Sequence, residues 1–148
     1  RKSHGLLPER SLVAAFLESL GEFIILLPPG FEEISQRNIN QSIAQSLDTY
    51  REVCRRARQL GFRVRGYLST CFGCPFEGSV APARVAEVAG ALSDLGVFEV
   101  SISDTIGVAH PGQVWTVLEA LAPRLPLAQT ALHFHDTRGT GLANVLAG

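Results

Sequence analysis

Phe98-Glu99-Val100-Ser101-Ile102-Ser103 and Thr130-Ala131-Leu132-His133-Phe134-His135, separated by a helical segment that opens at Pro111, decide the fold of this chain. Both are short runs with β-branched or apolar residues, the composition of buried strands. Between them Val114, Leu118 and Leu121 recur at helical spacing and stop before Pro123. A strand, a helix long enough to cross over, and a second strand make a parallel pair. The unit recurs upstream in the candidate strands Phe23–Leu27 and Arg63–Thr70. The equivalent points Ile24, Val64, Val100 and Leu132 lie 40, 36 and 32 residues apart, a β/α repeat rather than a solenoid period.

The intervening segments carry helical stripes. Leu12, Phe16, Leu17 and Leu20 form one that stops at Gly21. Ile43, Leu47, Tyr50, Cys54, Ala57 and Leu60 form the next, with Gly61 as its left-handed stop. Pro82 suits the first turn of a third, carrying Val85, Val88, Ala89, Leu92 and Leu95 and closed by Gly96. Leu6-Leu7-Pro8 reads as the tail of an earlier strand, and Gly141–Gly148 as the start of a further helix. The class is α/β with a parallel sheet. A (β/α)8 barrel takes about 250 residues, so the expectation is part of one, with two open sheet edges.

Composition narrows the function. At 148 residues, 46% hydrophobic and 18% charged, the chain can bury a core. A net charge of −1 with no basic face gives nucleic-acid binding no electrostatic support. No apolar run approaches the roughly 20 residues of a membrane span, and Arg1-Lys2-Ser3-His4-Gly5 leads into no signal-peptide core. Three cysteines, an odd count, argue for a reducing compartment rather than a disulfide scaffold.

In α/β folds chemistry gathers at the carboxyl ends of strands. Strand alternation puts His133 and His135 on one face, opposite Leu132 and Phe134, about 7 Å apart along the strand. Two imidazoles so placed can converge on one metal ion, with Asp136 as a further oxygen ligand or as the group that orients an imidazole. The two preceding strand ends are also polar: Ser69-Thr70-Cys71-Phe72-Gly73-Cys74-Pro75 and Ser101-Ile102-Ser103-Asp104-Thr105. Asp104 has the residue type of a helix cap or turn, and its place beside the histidines gives it a functional reading as well. Cys71 and Cys74 match C-x-x-C, but no helix opens after them to lower a thiol pKa and no second cysteine pair completes a zinc site. A packed or turn-forming role is expected for that pair, and a small core residue at Cys54. His110 reads as a loop residue near a helix start, and His4 carries no signal.

On these strand ends the chain resembles 3-hydroxy-3-methylglutaryl-CoA lyase, within the metal-dependent, pyruvate-carboxylase-like TIM-barrel superfamily. The resemblance lies in Arg37-Asn38-Ile39-Asn40, Arg65-Gly66-Tyr67-Leu68-Ser69, Gly73-Cys74-Pro75-Phe76-Glu77-Gly78, Ser103-Asp104-Thr105-Ile106-Gly107-Val108 and His133-Phe134-His135-Asp136-Thr137. It runs from about Leu6 to Gly148. It implies a partial (β/α)8 TIM barrel with about strands four to seven and the end of strand three. Residues 1–148 would then be the central portion of a single lyase domain whose N- and C-terminal parts are missing.

The resemblance also implies cleavage of 3-hydroxy-3-methylglutaryl-CoA to acetyl-CoA and acetoacetate with Mg²⁺ or Mn²⁺, the reaction type of leucine degradation and ketone-body formation. His133 and His135 match the two histidine metal ligands; Ser101 and Asp104 match active-site positions. Asn38, Arg65 and Tyr67 match positions near the acyl-CoA or supporting the site. The expected partner is an acyl-CoA, with no nucleic acid and no membrane, and a homodimer is compatible with the open edges. Location would be cytoplasmic in a bacterium and the mitochondrial matrix in a eukaryote.

Departures accompany the likeness. The family's Arg-Asp pair near the first strand, its Gly-rich loop with a reactive cysteine and the metal-binding asparagine of the eighth strand have no counterpart in these residues. Pro28-Pro29-Gly30-Phe31 stands for a small-residue segment, Ser103 for a usual glycine, Arg138 for a usual tyrosine and Thr140-Gly141 for a Gln-Ala pair. The competing expectations are a non-catalytic half-barrel that pairs or scaffolds, and a related Claisen-type acyl-CoA condensing enzyme.

Overall fold

The computed structural model describes residues 42–148 and the backbone of residues 22–27. The stripe from Leu12 to Leu20, the segment Pro28-Pro29-Gly30-Phe31 and Asn38 lie outside the described residues. Strand β1 (Glu22–Leu27) is followed by helix α1 (Ile43–Gln59), β2 (Arg63–Leu68), α2 (Pro82–Asp94), β3 (Glu99–Asp104), α3 (Pro111–Leu121), β4 (Thr130–Phe134) and α4 (Gly141–Ala147). The four strands form one sheet in the order β1-β2-β3-β4. Every pairing is parallel. Among the described residues nothing pairs with the outer edges of β1 and β4. The α/β class and its partial-barrel form are as expected.

Local chemistry sets the helix ends. Ser42 caps α1: its Oγ accepts from Gln45 N–H at 3.1 Å while the Gln45 side chain accepts from Ser42 N–H at 2.9 Å. This reciprocal box satisfies two of the donors a helix start leaves open. Pro82 and Pro111 occupy first turns, where the missing N–H costs nothing. Gly61 and Gly96 turn the chain after α1 and α2 with φ of 81° and 79°. Leu60 departs from expectation: it lies past the last residue of α1, off the apolar stripe, and is 47% exposed.

One face of the sheet carries the helices. Val64, Leu68, Val100 and Ile102 are buried in a single cluster with Cys54 and Ala57 of α1, Val85, Val88, Ala89 and Leu92 of α2, and Val114, Val117 and Leu121 of α3. Gly66 belongs to this face: a Cβ there would stand 3.4 Å from Leu92 Cδ1, so α2 lies close over β2. Alternation sends the remaining side chains to the opposite, inner face. Those are Arg63, Arg65 and Tyr67 of β2, Glu99, Ser101 and Ser103 of β3, and Ala131 and His133 of β4.

Strand β2 ends at Leu68, two residues before the expected Thr70. The cause is Thr70 itself, whose φ of 57° turns the chain out of the strand. This is costly for a β-branched residue. The turn is held by Thr70 N–H donating to Thr105 Oγ1 at 2.7 Å and Cys71 N–H donating to the Ser103 carbonyl at 3.0 Å.

Candidate active site

The register places the inner-face groups in rows. Tyr67 pairs with Ser101, Ser101 with Ala131, and Ser103 with His133. His133 and His135 lie on one side of their strand, with ring centroids 5.0 Å apart and both side chains exposed. Leu132 and Phe134 pack into the core on the other side, Phe134 with its ring centroid 5.6 Å from that of Phe72. The expected common face for the two imidazoles is therefore what the backbone builds. Among the described residues no cluster of three or more His, Cys, Asp or Glu side chains is arranged to hold a metal ion. The imidazole pair supplies two nitrogen donors.

Arg65 forms a cationic centre two strands away. Its guanidinium pairs with the Glu99 carboxylate across the β2–β3 ladder, donates to Tyr67 Oη, and lies with Cζ 4.7 Å from the Tyr67 ring centroid. Partial burial works against the charge, but the Glu99 carboxylate and the Tyr67 oxygen outweigh it, and the Arg65 pKa is raised above its ordinary value. The guanidinium is a fixed positive group. Glu99 was not singled out from sequence, although it stands two residues before Ser101 and so shares its face.

Asp104 does not join these groups. Alternation turns it to the side of Val100 and Ile102, where it is 1% exposed. Its two oxygens accept from the backbone N–H groups of Val108 at 2.9 Å and Ala109 at 3.0 Å. The carboxylate shapes the loop after β3 instead of facing the histidines, in keeping with the turn reading of its residue type. Asp136 is engaged similarly, its Oδ1 accepting from Gly141 N–H at 2.7 Å at the start of α4. The two loops meet at Gly107, where φ is 64° and a Cβ would fall 2.5 Å from Thr137 Oγ1. Only glycine fits this contact without displacement.

The cysteines are packed, as expected. Cys54, Cys71 and Cys74 are free and buried. Burial pushes the Cys71 thiol well above its usual pKa, and its Sγ lies 3.1 Å from the Leu68 carbonyl. Cys74 Sγ accepts weakly from Phe76 and Glu77 N–H at 3.4 Å, within a turn closed by Cys74–Gly78 backbone bonds. A redox pair or zinc half-site has no footing in this geometry. His110 caps α3, its Nδ1 accepting from Gln113 N–H at 3.4 Å.

Parallel β/α units, with a polar inner face richest where the strands end, define this chain as part of a (β/α)8 barrel. The comparisons place it more closely. The HMGL-like family model matches residues 31–148, and the chain belongs to that family. It is similar to a hydroxymethylglutaryl-CoA lyase of Bacillus subtilis, 44% identical over 93% of this chain and 46% of the relative. It superposes on a hydroxymethylglutaryl-CoA lyase from Pseudomonas aeruginosa with a TM-score of 0.86 at 43% identity, covering 93% of this chain and 46% of that one. An HMG-CoA lyase from Acinetobacter baumannii, in complex with coenzyme A and 3-methylmalate, gives a TM-score of 0.81 at 30% identity over 90% of this chain and 44% of that one. Relatives named as mitochondrial and as cytoplasmic are both among the matches. The chain spans about half the length of the bacterial relatives it matches.

Proposed function

We propose that the protein carrying this chain is a carbon–carbon lyase that cleaves 3-hydroxy-3-methylglutaryl-CoA to acetyl-CoA and acetoacetate. Residues 1–148 would form the central portion of its single barrel domain. The observation that carries the reading is the His133–His135 pair, its rings 5.0 Å apart on the inner face, with Ser103 beside His133 and Ser101 beside Tyr67 in the register. The relatives' names and the coenzyme A complex of one of them support the substrate class.

The donor set fits Mg²⁺ or Mn²⁺ in part: two imidazoles on one exposed face leave most positions of a hard, oxygen-preferring ion to other ligands. Such an ion, bound by His133 and His135, supplies Lewis-acid polarisation of substrate oxygens. The chain's own residues do the rest of the work assigned here. Arg65, locked by Glu99, and Tyr67 offer a cation and a phenol to the acyl-CoA. Ser101, between Tyr67 and Ala131, offers a hydroxyl to the reacting acyl group. Asp104 acts as a positioning residue through the Val108–Ala109 backbone. Asn38 joins the substrate contacts by resemblance alone.

The test is turnover of 3-hydroxy-3-methylglutaryl-CoA by the complete protein with Mg²⁺ or Mn²⁺, together with metal titration by calorimetry. Expected are acetoacetate release and, in His133→Ala, a loss of metal affinity beyond the roughly 10–100-fold that removal of an outer-shell partner costs. A complete protein that condenses acyl-CoA without cleaving this substrate, or a His133→Ala variant with wild-type metal affinity, overturns the reading.

A further inference from the structure

Ser101 and Ser103 alternate onto the inner face of β3, 1% and 8% exposed. Among the described residues no hydrogen bond engages either hydroxyl, and neither oxygen is sealed from solvent: the buried side-chain polar atom left without a partner is Asn144 Oδ1. Two neighbouring hydroxyls that reach solvent on the face that carries the histidines are placed to bond a ligand bound there.

Ser103 is the more telling of the two. Its register partner on β4 is His133, and parallel neighbours stand about 4.8 Å apart. On its other side β2 has already ended at Leu68, and the chain turns away through Thr70 to hand Cys71 N–H to the Ser103 carbonyl. That carbonyl is thereby occupied while the hydroxyl is not. The residue borders the end of β2 on one flank and the imidazole pair on the other, with Ser101 one step back toward Arg65 and Tyr67.

We propose that Ser103 is a substrate-contacting residue, its hydroxyl hydrogen-bonding an oxygen of the acyl group that lies over His133 and His135. This rests on the reading that an acyl-CoA occupies the inner face. The contact favours an oxygen-rich acyl chain, because a site built to hydrogen-bond a substrate oxygen is left with an unpaired group when the analogue lacks it. Simple space-filling by the serine makes a different forecast: alanine would then substitute for it freely.

The experiment uses the complete protein with Mg²⁺ and compares wild type, Ser103→Ala and Ser103→Gly. Binding of free 3-hydroxy-3-methylglutarate is followed by calorimetry, KM and kcat with the CoA thioester by turnover, and stability by thermal melting. Expected for Ser103→Ala is about tenfold weaker binding of the free acid, the worth of one hydrogen bond near 1.4 kcal/mol, with a matching rise in KM. Its melting temperature should stay level, since no hydrogen bond within the protein is removed. A structural serine would lower it. Ser103→Ala binding like wild type while Ser103→Gly differs, or affinity falling only in step with melting temperature, overturns the assignment. Wild type that binds the free acid but shows no turnover defeats the lyase reading and leaves the Ser103 comparison intact. Wild type that binds no free acid defeats the Ser103 assignment.

Discussion

Replacing Asp104 separates a carboxylate that moves protons from one that holds a loop. Its two oxygens receive the Val108 and Ala109 N–H groups at 2.9 and 3.0 Å, and the residue is 1% exposed. Hydrogen bonds to a charged group are worth about 1.5–3 kcal/mol each. Asp104→Asn keeps one acceptor and turns its amide N–H toward the other backbone donor, so the expected loss is about 2–3 kcal/mol. Asp104→Ala removes both bonds, and about 3–6 kcal/mol should go with them. Urea unfolding followed by circular dichroism reads these losses. For a protein of roughly 150–250 residues each kcal/mol moves the melting temperature about 2–4 °C, so Asp104→Asn should melt about 4–12 °C lower. Metal affinity, measured below the melting range, should stay within a few-fold of wild type because the carboxylate points away from the imidazoles. An Asp104→Asn protein of unchanged stability whose kcat falls a hundredfold or more would refute the loop role and point to a proton-handling one.

Gly107→Ala should destabilise the protein by at least about 2 kcal/mol in the same urea assay. A left-handed backbone costs an L-residue about 1–2 kcal/mol, and the new Cβ would also meet Thr137 Oγ1 at 2.5 Å; wild-type stability would sink the proposed contact between the two loops. The cysteines give a pH prediction. Burial raises the thiol pKa of Cys71, and also of Cys54 against a smaller opposing effect of Arg58. The folded state therefore favours the neutral thiols, and this contribution is complete below the ordinary value of 9.0 and declines as pH rises beyond it. Peptide mapping after thiol labelling of native protein at pH 8 should find Cys54 and Cys71 unmodified until urea is added, and rapid native labelling of Cys71 would show the site to be open.

The parts of the fold legible in sequence were those with a strict period. Alternation put His133 and His135 together, and helical spacing with Pro82, Pro111, Gly61 and Gly96 set helices within a few residues of their observed ends. Strand ends were less legible, because Thr70 leaves β2 through a conformation that threonine rarely adopts and that only its bonds to the neighbouring loop hold in place. The direction of Asp104 was less legible for a related reason. Its nearness to the histidines in space was foreseen, but the direction of its side chain follows from parity one residue past Ser103, and its partners Val108 and Ala109 are backbone groups that no motif advertises. Glu99 went unnoticed because a carboxylate at a strand start looks like a solvated residue until the register brings Arg65 beside it.

The division of β3 into two side-chain sets has a consequence for how this chain tolerates change. Val100 and Ile102 answer to the helices, and Ser101 and Ser103 to whatever occupies the opposite face, with no residue shared between the two constituencies. Point substitutions can therefore drift on one side without disturbing the other. A single-residue insertion within the strand is another matter, since a period of two exchanges the faces completely. It would drive two hydroxyls against α2 and set two aliphatic side chains beside the imidazoles, so length in this segment is under far tighter constraint than identity.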